Sequence, residues 1–149
     1  MKHQDLFHLG VVSADVRSTR GMWSSLFGYS WGPTVDSELT VGTPDGEVDA
    51  SMSCAFTIES PRIEVISEVP GTLWTAGGGI HHLGYWSDDV DADVAAAAEV
   101  GFACEATRTG PDGSLFFAFC RNTDGVLVEF VTRAAADGLA RCWSGPDVD

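Results

Sequence analysis

The sequence predicts an α+β fold in which one unit, a strand followed by a helix and three further strands, occurs twice in a single domain of residues 1–149. The stretch HLGVVSADV at residues 8–16 returns as HLGYWSDDV at residues 82–90, and six of the nine letters agree. A helical pattern of apolar residues follows each copy. Each half then contains a Pro-Asp-Gly turn between two β-prone segments, which is typical of a hairpin. Together these observations indicate two βαβββ modules.

The first module is predicted over about residues 5–70 and starts with the strand that contains HLGVV. Apolar residues then recur at helical spacing and predict a helix with Asp15 as its N-cap and Gly28 after its last turn. The TPDG segment at 43–46 predicts a hairpin. The module closes with PRIEVIS, a strand that carries Glu64 near its centre.

The second module is predicted over about residues 78–133, after a Pro- and Gly-rich linker at about 67–79. Its strand HLGYW leads into an alanine-rich helix that ends at Gly101 and is capped by Asp88 or Asp89. The segments GPDG and GVLVEFV repeat the hairpin and the closing strand of the first half.

The C-terminal tail, residues 134–149, has three possible arrangements at this point. A short helix lays Trp143 over the site, the same helix packs on a partner chain, or the tail is frayed.

The charge of the chain excludes several classes of partner. It has 8 basic and 22 acidic residues, giving a net charge of −14, and Lys2 is its only lysine. Such a surface repels phosphate backbones and anionic membranes, so we expect neither a nucleic-acid nor a membrane partner. No segment resembles a signal peptide or a membrane span, and we expect a cytoplasmic protein. The four cysteines form no metal-binding or disulfide pattern.

Four polar residues interrupt strands that otherwise suit a protein core. His8 and His82 begin the two HLG motifs, and Glu64 and Glu129 stand within the two closing strands. An unpaired carboxylate is costly in apolar surroundings. Because each module has one histidine and one glutamate at equivalent positions, we expect the four side chains to meet. Two imidazoles and two carboxylates are a donor set for a divalent metal, with room left for water.

On these motifs the sequence resembles the vicinal oxygen chelate superfamily, which includes glyoxalase I, methylmalonyl-CoA epimerase, extradiol dioxygenases and bleomycin resistance proteins. The resemblance rests on FHLGVV, RIEVI, HHLGYW and LVEFV. It implies that the modules curl into a cup-shaped mixed sheet and that one divalent ion (Co, Ni, Mn or Zn) is bound by His8, Glu64, His82 and Glu129. His81 is a rival ligand, but alignment of the HLG motifs favours His82, and strand alternation places His81 on the other face.

The resemblance is closest to the epimerase-like and glyoxalase I-like branch. It implies an isomerase, epimerase or lyase that forms a metal-stabilised enolate, with Glu129 or Glu64 as the base that takes the proton. Epimerases of this family place a further glutamate in the hairpin region of module one, where Asp45, Glu47 and Asp49 remain alternatives.

The expected partner is a small-molecule substrate, apolar or aromatic, with vicinal oxygens. Arg62 shares a face with Glu64 and is a candidate for fixing a carboxylate, although a solvated arginine at the start of the strand is equally compatible with its position. Trp86, Phe117 and Phe119 are candidates for an apolar wall, or serve only in packing. Members of the family commonly pair as homodimers, and we expect the same here.

Two other functions remain open on the sequence alone. The same fold serves as a metal-free binding protein that sequesters antibiotics, and those proteins typically lack the full ligand set. An Fe(II) extradiol-type dioxygenase is a more distant alternative. Glu64 argues against it, because dioxygenases of the family leave that fourth position without a ligand.

Overall fold

The computed structural model describes residues 1–145 and contains the strands and helices in the predicted order. The first half comprises β1 (Leu6–Ser13), α1 (Val16–Phe27), β2 (Val35–Thr43), β3 (Gly46–Phe56) and β4 (Arg62–Ser67). The second comprises β5 (Ile80–Ser87), α2 (Val90–Glu99), β6 (Ala103–Thr109), β7 (Leu115–Arg121) and β8 (Leu127–Thr132). Short helical turns at His3–Asp5, Arg133–Ala135 and Ala140–Cys142, and a short helix α3 (Ala136–Leu139), flank these elements.

The two longer helices begin at the predicted capping residues. The Asp15 carboxylate accepts a hydrogen bond of 2.9 Å from a backbone N–H in the first turn of α1. Asp89, rather than Asp88, does the same for α2 at 3.0 Å. Gly28 ends α1 in the left-handed conformation, with φ of 76°, which glycine adopts without steric cost. Within residues 1–145, no helix combines the length and the apolar character needed to cross a membrane.

The eight strands form one curved sheet in the order β1-β4-β3-β2-β6-β7-β8-β5. Strand β1 runs parallel to β4, and β5 runs parallel to β8, so the sheet is mixed. The modules join along the antiparallel pair β1–β5. They meet again where Gly42 of β2 pairs with Thr107 of β6. This second junction closes the curved sheet into a barrel. The predicted fold class is confirmed.

Gly42 lies close to the Thr107 side chain at this junction. A Cβ atom at Gly42 would lie 2.9 Å from the hydroxyl oxygen of Thr107, which is too close for an ordinary contact. A larger residue at this position would therefore require the Thr107 side chain to move.

The helices lie outside the sheet and differ in how they pack. Helix α2 buries Val90 and Ala97 against the second half of the barrel. Helix α1 buries no residue fully, and Met22, Leu26 and Phe27 are 59%, 70% and 62% exposed. Val16 and Trp23 of α1 are partly buried against the core of the first half, so only part of the apolar spacing that predicted α1 marks its packed face.

The connection between the two halves is less exposed to solvent than its composition suggests. Its Pro and Gly content predicted a linker, yet Trp74 within it is only 2% exposed. The Trp74 indole contacts Phe119 of β7 edge-on, with ring centroids 5.5 Å apart. The linker thus supplies an aromatic side chain to the interior of the barrel.

The tail folds back on its own chain. Trp143 lies 5.3 Å from the ring of Phe56 and 4.6 Å from the guanidinium carbon of Arg62. Of the three arrangements considered for the tail, the first agrees with these contacts. Residues 146–149 lie outside the described part of the chain.

Candidate metal centre

The strand register places the two histidines and the two glutamates on one inward face of the sheet. Gly10 pairs with Glu64 on one neighbouring strand and with His82 on the other. Gly84, the equivalent glycine of the second motif, pairs with His8 on β1 and with Glu129 on β8. Paired residues on neighbouring strands point to the same face, and so do residues two apart on one strand. All four polar side chains therefore enter the barrel at the same level.

Each motif glycine leaves room for the histidine of the other module. A Cβ atom at Gly10 would lie 1.9 Å from Cε1 of His82, and one at Gly84 would lie 1.9 Å from Cε1 of His8. Neither separation is possible for real atoms, so a side chain at either glycine would displace an imidazole. The repeated HLG motif therefore supplies one histidine and the space for the other.

The four side chains converge on one point. His8 Nε2 lies 2.9 Å from His82 Nε2, 3.3 Å from Glu64 Oε2 and 3.2 Å from Glu129 Oε2. His82 Nε2 lies 3.5 Å from each of the same carboxylate oxygens. One ligand atom from each residue lies within 4.8 Å of all the others, and each residue is at most 9% exposed.

Burial and charge act in opposite directions on the pKa values of this group. Burial by itself lowers the pKa of His8, but hydrogen bonds to Glu129 and Glu64 outweigh it and raise that pKa to about 9. Burial raises the pKa of Glu64, but the contacts with His8 and His82 outweigh it and lower that pKa to about 2. The pKa of His82 is raised and that of Glu129 is lowered by the same contacts. A cation that enters the group must therefore displace a proton, which favours metal binding at higher pH.

A β-bulge precedes each HLG histidine. The β1–β5 pairing shifts register between Leu6 and His8 and again between Gly10 and Val11, which leaves one extra residue on each strand. On β5 that residue is His81. The alternation rule placed His81 on the other face, and this expectation is wrong because the bulge brings the His81 ring against His82, with centroids 5.3 Å apart.

His81 determines which nitrogen of His82 carries hydrogen. His81 Nε2 lies 2.8 Å from the carbonyl oxygen of Leu73, which only accepts, so that nitrogen donates. Burial lowers the pKa of His81, which keeps the ring neutral and leaves Nδ1 as an acceptor. His82 Nδ1, 3.0 Å away, is then the donor. A neutral His82 therefore presents the lone pair of Nε2 to the other three groups.

The donor set does not satisfy its own hydrogen bonds. With His82 neutral, its Nε2 lone pair and two carboxylate oxygens all face a single His8 Nε2–H. With His82 protonated as well, two N–H groups face each other across 2.9 Å. His8 Nδ1 is buried without a hydrogen-bond partner among residues 1–145 in either case. A cation at the centre would satisfy all four inward ligand atoms at once.

The spacing of these atoms suits one divalent ion. Around an ion with ligand distances of about 2.0–2.1 Å, neighbouring ligands lie about 2.9 Å apart in an octahedron and about 3.3–3.4 Å apart in a tetrahedron. The nitrogen–nitrogen and nitrogen–oxygen separations run from 2.9 to 3.5 Å. The residues present could therefore hold a divalent metal, and an octahedral arrangement would leave two positions for other oxygens.

An apolar cavity of about 130 Å³ adjoins the group. Phe117 and Phe119, two of the predicted contact residues, line it beside His8, Glu64 and Glu129. Strand alternation on β2 and β3 accounts for part of the remaining wall, whereas the linker and the tail supply side chains that the sequence did not reveal. This further wall includes Leu39, Met52, Phe56, Phe116, Trp74 and Leu139.

Arg62 and Trp86, the other two predicted contact residues, do not line this cavity. Trp86 stacks on Phe7, with ring centroids 3.8 Å apart. Arg62 lies under the Trp143 ring, and its Nε is buried without a hydrogen-bond partner in the part of the chain that the structure describes.

The three candidates for a second base also lie elsewhere. Asp45, Glu47 and Asp49 are exposed on the β2–β3 hairpin, and none of them lines the cavity. Among residues 1–145, Glu64 and Glu129 are the carboxylates at this cavity.

Comparison with known proteins establishes the family. The model of the Glyoxalase/Bleomycin resistance protein/Dioxygenase superfamily matches residues 7–119, and the chain belongs to this superfamily. The resemblance inferred from the motifs is confirmed.

The relatives are distant in sequence, and the solved structures among them share the fold. The uncharacterized protein YaeR of Escherichia coli (strain K12) is 24% identical over 127 residues, which cover 85% of this chain and 94% of YaeR. The hypothetical protein BH1468 from Bacillus halodurans C-125 has a TM-score of 0.62 and 19% identity, over 86% of this chain and 93% of that one. A Streptomyces coelicolor methylmalonyl-CoA epimerase in complex with 2-nitronate-propionyl-CoA has a TM-score of 0.58 and 21% identity, over 87% and 94%.

The glycine–histidine contact yields a first prediction. Gly84→Ala should abolish tight binding of a divalent metal, because the added methyl group displaces the His8 ring. It should also lower the free energy of unfolding by about 1–3 kcal/mol through overpacking. Metal titration and urea unfolding measure the two effects.

Gly21→Ala is the matched control. Gly21 lies within α1, and a Cβ there would meet nothing within 4 Å. This variant should bind metal as the parent does and gain about 0.4–1 kcal/mol of stability. Normal metal binding by Gly84→Ala would show that the reciprocal contact does not matter.

A second prediction separates the adjacent histidines. His82→Ala should remove metal binding, whereas His81→Ala should weaken it by about 10–100-fold, as expected for a residue that orients a ligand. The exposed His3 provides a control, and His3→Ala should leave the affinity unchanged. Complete loss in His81→Ala with retention in His82→Ala would mean that the ligand has been assigned to the wrong histidine.

Proposed function

We propose that the protein is a divalent-metal-dependent isomerase, epimerase or lyase that removes a proton from a carbon next to a carbonyl group in a small substrate. The observation that carries this proposal is a complete, buried group of two histidines and two glutamates opening onto an apolar cavity. Return of the proton would give isomerisation or epimerisation, and departure of a neighbouring group would give elimination.

The chemistry of the site divides between the ion and the chain. A divalent ion held by the four residues would supply Lewis-acid stabilisation of the negative charge that develops on the carbonyl oxygen. Glu129 is the proposed base, and one oxygen of its carboxylate takes the proton. Glu64, at the equivalent place in the first module, is the one other carboxylate at the cavity among the described residues and is the proposed second proton carrier.

The cavity wall supports the same reaction. Phe117 and Phe119 would hold an apolar substrate beside the carboxylates and exclude water, which strengthens charge interactions within the site. The fold is shared with a methylmalonyl-CoA epimerase. A metal-free binder would have no use for four buried ionisable groups, and Glu64 fills the position that a dioxygenase would leave open. A homodimer and a cytoplasmic location stay predictions.

A third prediction tests the base. Metal-loaded protein is incubated in deuterated water with a panel of chiral keto acids, hydroxy ketones and methylmalonyl-CoA, and loss of the acidic C–H signal is followed by NMR. Glu129→Gln should reduce exchange by about 10²–10⁴-fold, because an amide does not take up a proton near neutral pH. Glu64→Gln should have a smaller effect.

Asp49→Asn is the control for removal of a carboxylate, because Asp49 is exposed outside the cavity. The rate of C–H exchange by this variant should equal that of the parent. If Glu64→Gln is inactive and Glu129→Gln exchanges at the parental rate, the base lies in the other module. If metal-loaded protein exchanges no member of the panel, the proton-transfer proposal fails and a binding function takes its place.

A further inference from the structure

The cavity contains one cationic side chain that the sequence did not single out. Arg108 of β6 pairs with Phe117 across the β6–β7 hairpin, so both residues face the interior. Arg108 lines the same cavity as Glu64 and Glu129 and is half-buried. Its guanidinium carbon lies 5.1 Å from the centre of the Phe116 ring.

Arg108 has no carboxylate partner among residues 1–145. Two other arginines are neutralised within the chain: Arg121 by Glu105 at 2.7 Å, and Arg133 by Asp5 and Asp88. Within this part of the chain, the Arg108 guanidinium makes a cation–π contact with the Phe116 ring and no hydrogen bond or ion pair. A partly desolvated guanidinium is stabilised when a carboxylate accepts its paired N–H groups, so its position suits an anionic group of a ligand.

The charges of the cavity limit what that ligand is. The carboxylates of Glu64 and Glu129 would balance the charge of a divalent ion, which leaves Arg108 as the uncompensated charge. Of the 8 lysine and arginine residues in the chain, Arg108 is the one that lines this cavity. One cation matches one carboxylate and does not match the several phosphates of a coenzyme A thioester.

We propose that the site takes a free monocarboxylic acid, with its carboxylate on Arg108, a compact apolar or aromatic body between Phe117 and Phe119, and its reacting oxygens at the metal group. This inference rests on the proposed function, because it uses the same metal group at the other end of the ligand. It deepens that function by naming the substrate class. The small cavity, about 130 Å³, suits a body of roughly one ring, since a cavity of about 150 Å³ holds benzene.

The test uses two probes that differ at one end. 4-Carboxybenzohydroxamate and 4-methylbenzohydroxamate both offer two adjacent oxygens to a metal, and only the first carries a carboxylate at the far end of its ring. Binding to zinc-loaded protein is measured by calorimetry. The carboxylate probe should bind at least about tenfold more tightly to the parent, as a charge-assisted hydrogen bond predicts.

Arg108→Gln should abolish that preference and leave the affinity for the methyl probe unchanged. Arg108→Lys should keep part of the preference, because it retains the charge and loses the planar fork. Arg62→Gln and Arg17→Gln remove one positive charge outside the cavity, and both should retain the full preference.

The outcomes separate the inference from the function on which it rests. Equal binding of the two probes to the parent, or loss of the preference in Arg62→Gln rather than Arg108→Gln, overturns the Arg108 inference and leaves the metal site standing. Failure of both probes to bind zinc-loaded parent overturns the proposed function, in which substrate oxygens meet the metal group, and this inference with it. Tighter binding of methylmalonyl-CoA than of the carboxylate probe would also contradict the assignment to free acids.

Discussion

Two imidazole rings occupy the space in which side chains of Gly10 and Gly84 would otherwise lie, and each ring reaches from its own module onto the first strand of the other. This contact fixes the register of β1 against β5. Sliding one strand along the other by one residue would bring a side chain where the ring now lies. The same register sets Glu64 and Glu129 beside those glycines. The module interface and the polar group at its centre are therefore one structure, and a change at either glycine affects both.

The second constraint is electrostatic. Four ionisable groups lie inside a barrel whose other inward residues are mostly apolar, and none of the four is more than 9% exposed. Buried charges are tolerated when they pair or bind a metal. This group has too few N–H donors for its nitrogen and carboxylate oxygen acceptors, so some acceptors are left facing one another. A ligand that binds the native state alone raises stability by mass action, so occupancy of the site by a cation should also hold the two modules together.

The sequence predicted the fold well because its signals were local and duplicated. The HLG motifs, the Pro-Asp-Gly turns and the caps at Asp15 and Asp89 each specify a short segment, and the structure contains those segments in order. Strand alternation also predicted that His8, Glu64, His82 and Glu129 face inward, because the pairing is regular from each HLG histidine onward and along β4 and β8.

The predictions failed where contacts between distant parts of the chain, rather than the local sequence, decide where a side chain lies. Alternation gave the wrong side for His81, since a bulge that depends on pairing with β1 lies there. Composition marked residues 67–79 as a linker and gave no sign that Trp74 would be buried. Arg108 carried no motif, and its place in the cavity became visible only once β6 and β7 were paired. Arg62 lies on the expected face beneath Trp143 of the tail, and its role in binding stays a prediction.

The metal content of the purified chain tests the central claim most directly. Protein prepared without chelator is analysed by inductively coupled plasma mass spectrometry, and protein treated with chelator is titrated with Co, Ni, Mn and Zn while its thermal unfolding is followed. A four-residue centre predicts close to one equivalent of a divalent transition ion per chain, and a rise in melting temperature that His82→Ala lacks. Protein that contains no metal, and whose melting temperature does not respond to any of the four ions, would contradict the account.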